Sequence, residues 1–104
     1  MISFNKTEFT LGNIKYGETG KAYADVFNNS TETVHLTPAN SSCSCTSGTV
    51  DNAKLPPNGK TRFVISLNTL KSGKGMNQVK AISLTYKLGK KQFSQVFRIK
   101  ANVI

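Results

Sequence analysis

The second half of the sequence contains no acidic residue. Residues 53–104 hold eleven lysines and arginines and neither Asp nor Glu, whereas residues 1–52 hold three lysines and five acidic residues. The halves therefore carry formal charges of +11 and −2, which sum to the +9 of the whole chain. This imbalance predicts a basic surface that faces nucleic acid, an acidic protein surface or anionic lipid. A lysine-rich strand face that only maintains solubility explains the same charge.

Long apolar runs are also missing, and sulfur and imidazole groups are few. Without a run of about 18 apolar residues, no transmembrane helix is expected, and the first residues lack the apolar core of a secretion signal. Two cysteines cannot form a disulfide framework. Together with one histidine they also fall short of the four ligands of a structural zinc site. At 104 residues the chain is long enough for one domain, spanning residues 1–104.

Both cysteines, Cys43 and Cys45, follow a predicted strand that begins at Val34. Residues two apart in an extended chain face the same side, so we expect two buried free thiols. A disulfide is the alternative. It requires a tight turn, because an extended Cys-x-Cys spans about 6.6 Å, near the upper limit for a bridge. A catalytic thiol would need His35 as its partner, and we expect His35 to be an exposed strand residue.

Apolar residues recur at every second position in segment after segment, which is typical of strands with one buried face. No segment has the sustained apolar spacing of a helix. The alternation predicts strands over residues 2–4, 9–11, 21–28, 34–36, 63–67, 82–86 and 93–103. Glycine, proline, asparagine and lysine predict turns or loops at residues 12–17, 28–33, 47–52, 56–59, 70–76 and 89–91. The pattern predicts an all-β, immunoglobulin-like β-sandwich of about seven to eight antiparallel strands.

The predicted strand over residues 21–28 has two competing faces. One consists of alanines and a valine, and the other contains Tyr23, Asp25 and Phe27. Burying Asp25 without a partner would cost several kcal/mol, so we expect the alanine–valine face to point inward. Tyr23 and Phe27 then form an outward aromatic pair suited to a partner surface. In the alternative arrangement the aromatic rings are in the core and Asp25 lies at its rim.

The last predicted strand places basic residues opposite its apolar side. Phe93 and Phe97 are expected to point inward, which leaves Arg98 and Lys100 outward without aromatic rings on which nucleic-acid bases could stack. Two further lysines occupy the preceding turn. The predicted partner surface therefore comprises Tyr23, Phe27, Lys90, Lys91, Arg98 and Lys100.

Several short motifs occur in a specific order. They are Phe9-Thr10-Leu11-Gly12-Asn13-Ile14-Lys15-Tyr16-Gly17, Asn28-Asn29-Ser30, Ser42-Cys43-Ser44-Cys45-Thr46, Pro57-Asn58-Gly59 and the final strand. In this arrangement the sequence resembles the bacterial and phage immunoglobulin-like domains of uncharacterised function that carry a Ser-Cys-Gly-Cys-Thr motif. Those domains are relatives of Hydin-type and major-sperm-protein-like sandwiches. The resemblance implies architecture and no catalytic activity.

We therefore expect a non-enzymatic structural or interaction module that docks onto a larger protein assembly through its basic half. The favoured setting is the virion of a tailed phage assembled in the host cytoplasm, where the protein would be a capsid decoration or tail-associated subunit. The alternatives are a cell-envelope or cytoskeletal interaction domain and a module that binds polyanions or nucleic acid. We expect no catalytic residue, cofactor, metal ion, small-molecule substrate or membrane insertion.

Overall fold

A computed structural model of the chain describes residues 2–41 and 44–104. The described residues form nine strands and one short helix, which account for most of the chain. The elements are β1 (Ile2–Phe4), β2 (Glu8–Ile14), β3 (Thr19–Asn28), β4 (Val34–Ser41), β5 (Thr46–Val50), β6 (Lys54–Leu55), β7 (Lys60–Asn68), α1 (Thr69–Ser72), β8 (Gly75–Leu88) and β9 (Lys91–Val103).

Two sheets face each other. The four-stranded sheet has the order β1-β3-β7-β5, and the five-stranded sheet has the order β2-β9-β8-β4-β6. The predicted all-β sandwich is confirmed, with nine described strands instead of about seven to eight. One neighbouring pair, β2 and β9, is parallel, and its register shifts between Thr10 and Gly12.

The core lies between the inner faces of the two sheets. In β3 the small side chains Ala22, Ala24 and Val26 are buried, which confirms the predicted inward face. They lie opposite Ile65, Phe63 and Thr61 of β7. The five-stranded sheet contributes the facing layer, and the rings of Phe63 and Phe97 meet edge to face with centroids 5.0 Å apart. The remaining buried apolar residues include Val34, Leu36, Leu55, Leu67, Ile82, Leu84, Ile99 and Val103.

The predicted loop over residues 47–52 is wrong for residues 47–50, which belong to β5. This strand pairs with β7, and Gly48 lies opposite Ile65. A Cβ atom on Gly48 would lie 2.5 Å from Cε1 of Phe63, far inside normal contact distance. Glycine is therefore required at position 48 because an aromatic ring packs closely against the backbone there. It does not form the turn that its residue type suggests in the sequence.

Pro38 does not end β4 as its chemistry suggests. It lies opposite Leu84 within the strand, next to an irregularity that separates it from Ser41. On the other side of β4, the strand β6 pairs only with Val34 and His35. Pro38 therefore occupies a stretch of β4 that is a sheet edge, where a missing backbone N–H is tolerated.

Three predicted turns begin or end elsewhere. Gly12, at φ 75°, belongs to β2 and not to a turn. The segment after β7 begins with α1, in which the side chain of Asn68 accepts a hydrogen bond from the Leu70 backbone N–H. Lys91 already belongs to β9, and Gly89 takes φ 61° in the two-residue turn before it. Glycine at that position is what a tight hairpin turn requires.

The turn at residues 56–59 is confirmed. The backbone N–H of Gly59 donates to the Pro56 carbonyl at 2.9 Å, and Asn58 has φ 64°. A positive φ at the third residue and proline at the second identify a type II turn.

Asn28, at the end of β3, is fully buried and connects three parts of the fold. Its side-chain amide nitrogen donates to the carbonyls of Glu32 and Leu55, at 2.8 and 2.9 Å. Its side-chain oxygen accepts from the backbone and hydroxyl of Ser30. Its backbone N–H donates to Gly59 in the type II turn. One side chain thus joins β3 to the following turn and to β6 of the opposite sheet.

Replacing this amide tests its importance. Asn28→Asp exchanges a donor for an oxygen that faces two carbonyls, so we expect a loss of at least about 3 kcal/mol in the free energy of unfolding. Urea unfolding measures it. Asn29→Asp, one residue later and exposed, is the control and should change stability by less than about 0.5 kcal/mol. Equal losses for both variants would contradict the role of Asn28.

The contact between Gly48 and Phe63 gives a second prediction. Gly48→Ala should destabilise the protein by about 1–3 kcal/mol, because the new methyl group must displace a buried ring. The matched control is Ser47→Ala on the exposed side of the same strand. Thermal unfolding of both variants measures the effect. An unchanged midpoint temperature for Gly48→Ala would contradict the close contact between Gly48 and the Phe63 ring.

Candidate functional site

Aromatic and cationic side chains alternate on the outer face of the four-stranded sheet. Tyr23 and Phe27 project from β3 on the side opposite its buried alanines, and Tyr23 is 51% exposed. In β7, Val64 lies opposite Tyr23 and Lys60 lies opposite Phe27. The predicted outward direction of the two aromatic residues is therefore confirmed.

Each of these rings has a cation above it. The guanidinium carbon of Arg62 lies 5.4 Å from the centroid of Tyr23, and the ammonium nitrogen of Lys60 lies 5.6 Å from that of Phe27. Both distances are in the range of cation–π attraction. We refer to Tyr23, Phe27, Lys60, Arg62 and Val64 as the aromatic–cation face.

Two carboxylates lie beside the cations of this face, because Asp25 and Asp51 line one cleft with Lys60 and Arg62. Asp25 Oδ2 is 3.7 Å from Lys60 Nζ, which is the sole ion pair within residues 2–41 and 44–104. Arg62 lies opposite Asp25 in the register but forms no ion pair with it. The guanidinium group thus remains available to a carboxylate from outside, and its planar fork suits two parallel hydrogen bonds.

The other predicted partner residues lie elsewhere. Arg98 and Lys100 project from the outer face of the five-stranded sheet, on the opposite side of the sandwich from the aromatic–cation face. They line a cleft of about 500 Å³, which we call the basic cleft, together with Lys6, Glu8, Phe9, Thr10 and Val79. The ammonium group of Lys6 lies 5.4 Å from the Phe9 ring centroid.

Lys90 and Lys91 form a third location, at the turn between β8 and β9. The structure therefore distributes the six predicted partner residues over two opposite faces and one hairpin end. Lys60 and Arg62, which complete the aromatic–cation face, were not among them. Both residues belong to a strand whose alternate positions, Phe63 and Ile65, are apolar. That alternation in the sequence indicated that Lys60 and Arg62 face outward.

Phe93 lies on the inward side of β9, as predicted, but it is not buried in the core. Phe93 is 42% exposed, and its ring stacks on Tyr86 with centroids 5.3 Å apart. Tyr86 in turn contacts Phe4 of β1. Phe93 thus covers the end of the core, whereas Phe97, on the same side of β9, is fully buried.

The prediction of a buried free thiol is wrong for Cys45. This residue is 2% exposed and is disulfide-bonded. The prediction assumed an extended backbone, but Ser44 and Cys45 form a turn that precedes β5. Cys43 lies outside the described residues, and the prediction for it is not tested.

Asp25 and Asp51 line one cleft, and the single histidine lies apart from it. Asp25 belongs to the four-stranded sheet, and the exposed His35 belongs to the five-stranded sheet. Asp51 follows β5. Within residues 2–41 and 44–104, no three histidine, cysteine or acidic side chains converge as metal ligands would. In the same part of the chain, no helix has the length and apolar character to cross a membrane.

The state of Cys45 can be measured directly. Because Cys45 is disulfide-bonded, we expect a thiol-alkylating reagent to leave it unlabelled in the denatured protein unless a reductant is added. Peptide mass spectrometry after alkylation, with and without reductant, detects the difference. Labelling of Cys45 without reductant, in protein purified under air, would contradict the disulfide.

The fold recurs in proteins of diverse origin. A protein of unknown function from Porphyromonas gingivalis W83 superposes with a TM-score of 0.74 and 19% identity over 97% of this chain. The present chain spans 46% of that protein. The ASH/PapD-like domain of human CEP192 gives a TM-score of 0.69 at 13% identity and covers 99% of this chain and 84% of its own.

A member of the MSP family from C. elegans, WR4, gives a TM-score of 0.55 at 13% identity over 100% of this chain and 98% of its own. These likenesses confirm the expected similarity in fold to major-sperm-protein-like sandwiches. No curated protein matches the sequence. A family model described as "Protein of unknown function (DUF1573)" matches residues 2–103. The chain therefore belongs to the DUF1573 family.

Proposed function

We propose that the protein is a non-enzymatic docking module that binds an acidic protein surface through its aromatic–cation face. The observation that carries this proposal is the pair of outward aromatic rings, each with a cation above it, of which only Lys60 forms an ion pair in the described part of the chain. Tyrosine and arginine are, with tryptophan, the residues enriched among those that dominate the binding energy of protein interfaces.

The uncompensated charge of the chain also supports an acidic partner. Of fourteen lysines and arginines, one forms an ion pair within the described part of the chain. Exposed cations that lack internal partners attract a negative surface, and this increases the association rate and selects against basic partners.

The assembly that we propose is a tailed-phage virion, in which the module would be a capsid decoration or tail-associated subunit. A cell-envelope or cytoskeletal assembly is the alternative setting. Quantitative mass spectrometry of purified virions and of envelope fractions distinguishes the two, because the protein should be enriched with the assembly that it serves.

The basic cleft favours a second candidate, polyanion or nucleic-acid binding. Lys6, Arg98 and Lys100 surround a partly apolar cleft on the opposite sheet. Binding of a polyanion there would weaken steeply as salt rises, because counterions are released from the phosphates.

Site-specific crosslinking tests the docking function. A photo-reactive benzophenone amino acid at position 23 should form an adduct with a protein of the assembly, and the same group at position 79, in the basic cleft, should not. Arg62→Glu should reduce recovery of that adduct at least about tenfold, while Arg98→Glu should leave it unchanged. Adducts confined to position 79, or lost only with Arg98→Glu, would refute the proposal and favour the basic cleft.

A further inference from the structure

The sheet orders end in the strands β1, β5, β2 and β6, and three of them are protected against pairing with another chain, as Pro38 protects the stretch of β4 that β6 leaves uncovered. Natural proteins protect edges by making them short, charged, bulged or proline-flanked. β1 has three residues, and β6 has two, with Lys54 in the strand and Pro56 directly after it. β2 carries Glu8 and the register shift between Thr10 and Gly12.

The fourth edge strand, β5, has none of these protections. Its five residues, Thr46–Val50, include no charge and no proline. It pairs with β7 without a register shift from Thr46 to Val50, and no further described strand lies beyond it in the sheet. A regular, uncharged edge of this kind is a template for an additional strand.

The hydrogen-bond register identifies the groups that face outward from this edge. Asn68 N–H donates to the carbonyl of Cys45 at 2.7 Å, and Asp51 N–H donates to the carbonyl of Arg62 at 3.1 Å. In an antiparallel pair, hydrogen-bonded residues alternate along the strand. Residues 47 and 49 therefore bond to β7, and the N–H and C=O groups of Thr46, Gly48 and Val50 point away from it.

We propose that β5 binds an extended acidic segment of the partner protein by strand addition. This inference rests on the proposed docking function and specifies how the partner is held. The backbone groups of Thr46, Gly48 and Val50 would complete the ladder, as in other complexes formed by β-augmentation. The four-stranded sheet would thereby gain a fifth strand next to the aromatic–cation face.

The charge of the chain argues for an acidic segment and against a second copy. Two chains of net charge +9 repel each other when their edges approach. An acidic strand added beside β5 would lie about 10 Å, or two strand spacings, from β7. β7 carries Lys60 and Arg62 on its outer face. Asp25 and Asp51 lie beside these two cations and offset their charge. The net positive charge of the whole chain therefore provides the attraction that favours acidic side chains on the added strand.

Hydrogen exchange of the full chain with a synthetic probe tests the inference. The probe is a short peptide that alternates glutamate with valine, and its control is the same peptide N-methylated at alternate residues, which cannot complete a ladder. We expect the amides of Thr46, Gly48 and Val50 to exchange rapidly in the free protein and to become protected by the probe only. Absence of protection at these amides would overturn strand addition.

A pair of variants separates the edge from the sheet face. Val50→Pro removes an outward N–H without breaking a bond to β7 and should weaken probe binding at least about tenfold. Val50→Ala keeps the N–H and should bind as the unmodified protein does. If Val50→Pro binds the probe normally and the probe perturbs only Tyr23 and Arg62, strand addition is wrong. Docking through the aromatic–cation face is then still supported. The N-methylated control remains decisive if Val50→Pro does not fold.

Discussion

The fold depends on a buried side-chain amide whose donors and acceptor all bond to protein groups. Asn28 lies where β3 leaves the four-stranded sheet, and its side chain makes hydrogen bonds to Ser30, Glu32 and Leu55. Leu55 belongs to β6 in the other sheet, so the contact crosses the sandwich. A buried amide is costly unless every donor and acceptor is satisfied. That requirement fixes the turn after β3 and the approach of β6, and the backbone bonds of the same residue to Asn58 and Gly59 add the type II turn.

Strand positions were predictable from the sequence where alternation was regular and the inner face was apolar. β3, β7 and β9 are of this kind, because each buried side chain gains from leaving water and a one-residue slip would expose all of them. β5 was not predictable, since Gly48 is a turn residue by composition and its packing role depends on Phe63, a residue fifteen positions away. The turn at Cys45 was missed for a related reason. The rule that residues two apart face the same side holds only in an extended chain. It does not apply where the chain turns to pass from one sheet to the other.

The candidate site was predictable in part. The outward direction of Tyr23 followed from the cost of burying Asp25, whose side chain remains 28% exposed beside Lys60. The cations above the rings depend on the register between β3 and β7, which local patterns do not encode. The two halves of the sequence differ in charge, but they do not form separate acidic and basic surfaces. Strands from both halves are neighbours in each sheet, as β3 and β7 are in one and β2 and β9 in the other.

The parallel pairing of β2 with β9 constrains how the protein can fold during synthesis. Glu8 lies opposite Arg98, and Ile14 lies opposite Val103, so almost the entire chain separates the partners. Closing so long a loop is entropically costly and slows folding. Until residue 103 has left the ribosome, β2 has no strand to pair with, and its apolar side chains remain exposed to other nascent chains. Premature release of the polypeptide would therefore yield an aggregation-prone fragment and not a smaller version of the sandwich.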